Sequence, residues 1–256
     1  MKANMKCFSV NLPQDLQRKV SIIREFEGIK MPVDIIDAVD GRKMMKEELQ
    51  VSYDEKRAIA EFRGLSRSEL GCSLSHLSIY KKIIDESIDH AFITEDDARF
   101  NEATAEILNS LCDQVSPNEP IVVLLSHVKY YSKSRREKLY KNYYLGRPVS
   151  RHIWLTHGYF ITQAAAARMR DALFPVWLPA DHWTKFQKKK IIDVYAVTPY
   201  CVGNVEDALV SNLEGERRQA MNNSTGRGNF FEKNVIEQIK KITWPLLRVT
   251  KQKRTW

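Results

Sequence analysis

The chain has 256 residues, of which 43% are hydrophobic and 28% charged, so it is predicted to fold around one sizeable core or at most two small ones. Lysine and arginine outnumber aspartate and glutamate by 40 to 32, and the net charge of +8 favours anionic partners without selecting among nucleic acid, phosphorylated substrates and membrane surfaces. No apolar stretch approaches the roughly 18 residues of a membrane-spanning helix, and residues 1–11 lack the apolar core of a secretory signal.

The four cysteines, Cys7, Cys72, Cys112 and Cys201, are scattered and form no CxxC pair. This spacing argues against a zinc knuckle and against a disulfide framework. It is typical of a protein in a reducing compartment, so a cytoplasmic location is expected.

The first forty residues have the pattern of a β-α-β unit. An apolar run at residues 7–12 is broken by Pro13, residues 15–26 have helical spacing, and a second strand-like run at residues 33–39 ends at the turn pair Asp40-Gly41. A strand, a helix and a strand at this spacing predict a parallel sheet.

A long helix and an acidic strand end come next. Residues 66–87 are predicted to be helical, because their apolar positions repeat at helical spacing and Ser66 with Glu69 has the spacing of a capping box. Residues 90–94 form an apolar strand that leads directly into Glu95-Asp96-Asp97. Further strands are expected at 121–125 and 157–162, with a helix at 163–173.

The predicted fold class is therefore α/β with a mostly parallel central sheet over residues 1–212. Residues 213–229 are polar and are interpreted as a mobile loop. Residues 230–256 combine apolar positions at helical spacing with a cluster of cations and two tryptophans, Trp244 and Trp256. They are predicted to form a basic, amphipathic helical tail, which either lies on an anionic membrane or docks on the core.

Three consecutive carboxylates at the end of a buried strand repel one another unless something offsets their charge. A hard divalent cation such as Mg²⁺ or Mn²⁺ prefers carboxylate oxygen, and ligands of open α/β sheets bind beyond the carboxyl ends of strands. The triplet at residues 95–97 is therefore a candidate metal and diphosphate site, and the alternative is a solvated turn.

Several segments together resemble glycosyltransferase family 25, which includes lipooligosaccharide and collagen galactosyltransferases. The specific part is residues 69–76 (ELGCSLSH) followed by residues 92–97 (FITEDD). Weaker matches, in chain order, are Ser9-Val10-Asn11-Leu12 with Arg18, Ala38-Val39-Asp40-Gly41, Gly158-Tyr159-Phe160-Ile161-Thr162 and Leu178-Pro179-Ala180-Asp181.

The resemblance implies a GT-A-like fold, with the acidic triplet in the role of an Asp-x-Asp motif. It implies an inverting transfer from a UDP-sugar to a saccharide, with Mn²⁺ or Mg²⁺ as cofactor. Asp97 is expected to bind the metal, and Glu95 to reach the metal-bound water or the ribose. Asp96 is expected to point back into the fold. The residues expected around the donor are Asn11, Leu12, Arg18, Asp40, Ser75, His76, Glu95 and Asp96.

Two of these residues have alternative interpretations. Asp40 either accepts a hydrogen bond from a uracil ring or is an ordinary turn residue before Gly41. Cys72 and His76 lie one helical turn apart and could bind a metal, but no second pair of ligands is in reach by sequence. A packed cysteine and a hydrogen-bonded histidine that orders the acidic loop are preferred.

An inverting transfer needs a general base for the acceptor hydroxyl, and Asp181 is the predicted base. The alternative is that Asp181 caps a helix over residues 181–188. Asn204 and Glu206 are candidates for the metal or donor shell. Residues 210–213 depart from the family pattern, since no acidic residue stands beside Ser211.

Residues 129–147 interleave five tyrosines with basic residues. They are interpreted as a nucleic-acid surface, a solvated helix and loop, or a cleft wall that meets a phosphorylated glycolipid. No nucleic-acid-binding motif accompanies them, so nucleic acid is not an expected partner.

The predicted function is transfer of galactose from UDP-galactose, in β linkage, to a lipooligosaccharide or lipopolysaccharide acceptor. The predicted location is the cytoplasmic face of the inner membrane, with peripheral membrane contact. The competing hypothesis is a catalytically silent family member that binds a saccharide or a protein.

Overall fold

The computed structural model describes residues 4–134, 136–149, 153, 156–204 and 248–252. Helices and strands are intermixed along this part of the chain. In chain order the elements are β1 (Met5–Asn11), α1 (Leu16–Gly28), β2 (Asp34–Asp37), a 3-10 turn (Gly41–Lys43), α2 (Lys46–Ser52), α3 (Glu55–Glu61), α4 (Arg67–Asp85), β3 (His90–Glu95), β4 (Ala98–Phe100), α5 (Thr104–Gln114), β5 (Ile121–Leu124), β6 (Tyr130–Ser132), β7 (Glu137–Tyr140), β8 (Tyr143–Gly146), β9 (Gly158–Thr162), α6 (Gln163–Leu173), α7 (Trp183–Lys188), β10 (Asp193–Thr198), β11 (Val202–Asn204) and β12 (Val249–Lys251).

Eight strands form the central sheet, in the order β2-β1-β3-β9-β5-β10-β8-β7. β9 and β8 run against the other six strands. The prediction of an α/β fold with a mostly parallel sheet is confirmed. Because β9 is antiparallel to β3, it begins at the edge of the sheet where β3 ends, and this brings the residues before β9 to the acidic triplet.

Each face of the sheet carries its own apolar layer. Alternate residues of a strand face opposite sides, so Phe8 and Ile93 belong to one layer while Cys7 and Phe92 belong to the other. The first layer packs beneath α4 and α6, and it contains the buried side chains of Trp177 and Trp183, among others. The second layer packs beneath α1 and α5.

The long predicted helix is confirmed as α4, with Ser66 as its N-cap. The Ser66 hydroxyl accepts a hydrogen bond from the Glu69 amide, at 3.1 Å, and the Glu69 carboxylate accepts one from the Ser66 amide, at 3.0 Å. This reciprocal pair satisfies two amides that the first turn of a helix leaves without partners.

The helical interpretation of residues 129–147 is wrong. The segment forms β6 and the β7–β8 hairpin, and the hairpin continues the central sheet at its edge. Its five tyrosines all lie on these strands, and aromatic residues are enriched in β-strands.

Of the predicted C-terminal tail, only residues 248–252 are described, and they come after the apolar positions with helical spacing, so the predicted helix lies outside the described residues. Residues 248–252 contain β12, which pairs antiparallel with β6, and the Gln252 side chain accepts a hydrogen bond from the Val128 amide at 3.0 Å. Residues 213–229 and the rest of the predicted tail lie outside the described residues. In the described part of the chain, the helices are all too short or too polar to cross a membrane.

Candidate functional site

The acidic end of β3 is held by residues that precede β9. The β3–β9 register pairs Thr94 with Gly158, so Glu95 lies opposite the segment that contains Thr156 and His157. The Thr156 hydroxyl donates a hydrogen bond to Glu95. His157 Nδ1 lies 3.5 Å from a Glu95 oxygen and 3.2 Å from an Asp97 oxygen, so one imidazole bridges two carboxylates.

This arrangement shifts the pKa of His157 and the pKa of Glu95 toward the charged form of each side chain. Burial acts to lower the pKa of His157, but its contacts with Asp97 and Glu95 outweigh burial and raise that pKa well above the ordinary value. Burial acts to raise the pKa of Glu95, but His157 and Thr156 outweigh it and lower that pKa. One ligand atom each of Glu95, Asp97 and His157 lies within 4.8 Å of the others, a spacing that a divalent cation can bridge with small side-chain rotations.

Asp96 has partners different from those of its two neighbours. Its carboxylate accepts a hydrogen bond from Asn11 Nδ2 at 2.8 Å and pairs with the Arg18 guanidinium at 3.1 Å. Burial is the largest influence on its pKa and raises it, while Asn11 and Arg18 act in the opposite direction. Asn11 ends β1 and Arg18 lies on α1, so the β-α-β unit read from the sequence does deliver these two residues to the triplet. Leu12 follows β1 directly and is half-buried.

The two α4 residues predicted to lie near the donor are buried and hydrogen-bonded. The Ser75 hydroxyl accepts a hydrogen bond from the Val39 amide at 2.9 Å, which ties α4 to the loop after β2. His76 Nδ1 lies 2.7 Å from the Tyr159 hydroxyl, which in turn lies 2.9 Å from the Tyr80 hydroxyl. Burial lowers the pKa of His76 to about 4, so its imidazole is neutral near pH 7.

Asp40 stands in the turn that the alternative interpretation described. Its carboxylate accepts a hydrogen bond from the Arg42 amide and pairs with the Arg42 guanidinium at 2.8 and 3.0 Å. A contact between Asp40 and a uracil ring stays a prediction. The following residue, Gly41, lies against Gly71 of α4 so closely that a β-carbon on either would overlap backbone atoms of the other segment.

Asp181 is buried two residues before α7 begins. The N-cap residue of that helix is His182, one position after Asp181. Arg63 forms hydrogen bonds to both Glu69 oxygens, at 2.6 and 2.9 Å, and that contact, with a smaller effect from Asp181, raises the pKa of Arg63. Trp183 packs on Tyr159 with ring centroids 5.0 Å apart, so the Asp181 segment adjoins the strand that begins after His157.

β11 passes beside the triplet. It pairs antiparallel with β4, and the register sets Asn204 opposite Ala98, the residue after Asp97. This places Asn204 near the acidic end, and its role in a metal or donor shell stays a prediction. Glu206 and residues 210–213 lie outside the described residues.

Sequence reasoning missed Thr156 and His157. Both are separated from Glu95 by about sixty residues, and their proximity depends on an antiparallel pairing that no local pattern reveals. A histidine immediately before a glycine-aromatic strand was the signal in the sequence. This histidine could be assigned to the acidic site only once the strand after it, β9, was known to lie beside β3.

The fold and the site define an α/β protein with a carboxylate cluster at the carboxyl end of a central strand. The model of the family described as glycosyltransferase family 25 (LPS biosynthesis protein) matches residues 4–184. The chain belongs to this family.

Relatives from both bacteria and animals are similar to the chain. It is 27% identical over 231 residues to the lacto-N-neotetraose biosynthesis glycosyltransferase LgtE of Neisseria meningitidis serogroup B, covering 82% of this chain and 81% of the relative. It is 31% identical over 112 residues to human procollagen galactosyltransferase 2, which covers 42% of this chain and only 18% of that protein. A probable inactive family member 3 from Rattus norvegicus is 27% identical over 115 residues, 42% of this chain and 20% of the relative.

A solved glycosyltransferase involved in glycosylation of the major capsid of PBCV-1 aligns over 86% of this chain and 99% of its own. Its identity is 9% and its TM-score 0.43.

Proposed function

We propose that the protein transfers galactose from UDP-galactose, in β linkage, to a saccharide acceptor of lipooligosaccharide or lipopolysaccharide. The observation that carries this proposal is the acidic end of β3, where Glu95 and Asp97 converge on His157 while Asp96 is held by Asn11 and Arg18. Family membership supports the reaction class, and the description of the family as LPS biosynthesis proteins supports the acceptor class. The relative LgtE, matched over most of its length and named for lacto-N-neotetraose biosynthesis, supports a saccharide acceptor.

The residues present suit Mn²⁺ or Mg²⁺. Glu95, Asp97 and His157 would hold the ion through two carboxylates and one imidazole, and this donor set favours Mn²⁺ because imidazole is a better ligand for it than for Mg²⁺. When bound, the metal supplies neutralisation of the charge that develops on the departing diphosphate. Arg18 is half-exposed beside Asp96, where its guanidinium can turn to contact the same phosphates.

In this proposal Asp181 is the general base. As the acceptor hydroxyl oxygen bonds to the anomeric carbon and the bond from that carbon to the diphosphate breaks, the hydroxyl proton passes to the Asp181 carboxylate. Attack from the side opposite the leaving group inverts the anomeric centre. Trp183, two residues on, is buried against Tyr159 and keeps the Asp181 segment close to β9.

The location on the cytoplasmic face of the inner membrane, with peripheral membrane contact, belongs to the same proposal. It rests on the acceptor class and on the basic residues of the C-terminal segment. Binding to vesicles that contain anionic lipid, compared with neutral vesicles, tests the membrane contact.

The test of the reaction is UDP release from UDP-galactose, UDP-glucose and a UDP-N-acetylhexosamine, with Mn²⁺ or with EDTA and without acceptor. We expect slow release that is selective for UDP-galactose and sensitive to EDTA. Asp97→Ala should abolish it, whereas Asp171→Asn on the exposed face of α6 should not. A near-wild-type rate in Asp97→Ala would rule out the metal assignment.

A catalytically silent saccharide- or protein-binding member is the second candidate, because one similar relative is described as probably inactive. No UDP release from any donor, together with no thermal stabilisation by UDP and Mn²⁺, would favour it.

A further inference from the structure

A second group of metal-ligating side chains lies on the α4 side of Glu95. Cys72 and His76 are one helical turn apart on α4, and one ligand atom of each lies within 4.8 Å of the other and of a Glu95 oxygen. Only Cys72 and His76 could be paired from the sequence, where no further ligand was in reach. In the folded chain Glu95, at the end of β3, lies beside them as a third ligand.

His76 is buried, and one of its two ring nitrogens is the ligand atom that it offers to this group. Its Nδ1 is 2.7 Å from the Tyr159 hydroxyl, while its Nε2 is buried without a hydrogen-bond partner. A buried polar atom without a partner is unfavourable and calls for an explanation. If Nδ1–H donates to Tyr159, Nε2 presents its lone pair, and an oxygen acceptor on the second nitrogen is the usual support of a metal-binding histidine.

We propose that Cys72, His76 and Glu95 form a second cation site, selective for a borderline-soft divalent cation such as Zn²⁺. Sulfur, imidazole and carboxylate are the ligands of zinc, whereas Mn²⁺ and Mg²⁺ favour the oxygen-rich group of Glu95, Asp97 and His157. Three protein ligands leave a fourth position for water. Binding releases the thiol proton of Cys72 to solvent.

The two groups share Glu95, so they compete. A cation bound by Cys72 and His76 draws the Glu95 carboxylate away from His157 and Asp97 and weakens binding of Mn²⁺ there. This competition rests on the proposed function, because it requires the first group to be a metal site. The second cation site, formed by Cys72, His76 and Glu95, does not depend on the proposed function.

The experiment is a titration of the reduced, metal-free full chain with Co²⁺, which reports thiolate coordination by a sulfur-to-cobalt charge-transfer band, followed by displacement with Zn²⁺. We expect the band in the wild type, its loss in Cys72→Ser, and at least tenfold weaker Zn²⁺ binding in that variant. Cys112→Ser is the matched control, because Cys112 is also half-buried but lies against Met5. Absence of the band in the wild type, its persistence in Cys72→Ser or its loss in Cys112→Ser would overturn the site.

Competition is measured separately, by electron paramagnetic resonance of Mn²⁺ with and without one equivalent of Zn²⁺. We expect one equivalent of Zn²⁺ to lower the Mn²⁺ affinity at least tenfold more in the wild type than in Cys72→Ser, where Zn²⁺ acts only by direct competition at the first group. The same fall in both proteins overturns the competition through Glu95. Equal Mn²⁺ affinity with and without Zn²⁺ overturns the competition. If Mn²⁺ does not bind at all while the cobalt band depends on Cys72, the metal assignment of the proposed function fails and the second site stands.

Discussion

The contact between Gly41 and Gly71 gives a stability prediction with a worked magnitude. A β-carbon on Gly71 would lie 2.4 Å from the Val39 carbonyl oxygen and 2.6 Å from the Gly41 amide nitrogen. Both neighbours are backbone atoms, so no side chain can rotate away. Overpacking of this kind lowers the free energy of unfolding by about 3 kcal/mol at the upper end of its usual range. The higher helix propensity of alanine raises it by about 1 kcal/mol.

Gly71→Ala should therefore destabilise the protein by about 2 kcal/mol, which corresponds to a fall in Tm of roughly 4–8 °C for a chain of this size. Differential scanning calorimetry measures the shift. Gly28→Ala is the matched control, since Gly28 ends α1 and a β-carbon added there would meet no atom within 4 Å. It should leave Tm unchanged or slightly raised. A Gly71→Ala protein as stable as Gly28→Ala would refute the close approach of α4 to the turn after β2.

Three further predictions concern the site. Asn11→Ala removes the 2.8 Å hydrogen bond to the buried Asp96 carboxylate, so the free energy of unfolding, measured by urea denaturation, should fall by about 1.5–3 kcal/mol; an unchanged urea midpoint would contradict this. Burial lowers the pKa of His182 from 6.5 to about 4, so the stability contributed by the neutral imidazole is present above pH 6.5 and is lost as the pH falls toward 4. His182→Gln should therefore show a smaller fall in Tm between pH 6.5 and pH 4 than the wild type. The same fall in Tm in both proteins would contradict this prediction. Asp181→Asn should reduce sugar transfer at least a hundredfold while thermal stabilisation by UDP and Mn²⁺ is kept, and wild-type transfer would remove Asp181 as the base.

The parts of the fold that could be predicted from sequence are those fixed by local chemistry. The capping box at Ser66 and Glu69 marked the start of α4 because both of its hydrogen bonds lie within one turn. The β-α-β unit could be predicted because a strand, a helix and a strand at this spacing have few alternatives. The insertion of β9 between β3 and β5 could not be predicted, because β9 pairs with strands that are separated from it by tens of residues.

The same distinction applies to the candidate site. The acidic triplet is recognisable in the sequence because its three residues, Glu95, Asp96 and Asp97, are consecutive. Asn11 and Arg18 were predicted from the family resemblance, and the structure places both side chains beside Asp96. The histidine before the glycine-aromatic strand, His157, could not be placed beside Glu95 from the local sequence alone. Its role depends on the antiparallel register of β3 and β9, a long-range pairing that sequence periodicity does not encode.

The charges at the end of β3 support the metal assignment made in the proposed function. Three carboxylates meet there, and their described contacts supply two cationic groups, Arg18 and His157. Even with His157 protonated, a net negative charge is left at a partly buried strand end, where burial makes an uncompensated charge costly. The single positive charge of a protonated His157 is shared between Glu95 and Asp97. A divalent cation that binds both carboxylates would supply two positive charges in its place. A cation at this strand end therefore improves the charge balance of the folded protein itself, before any donor is bound.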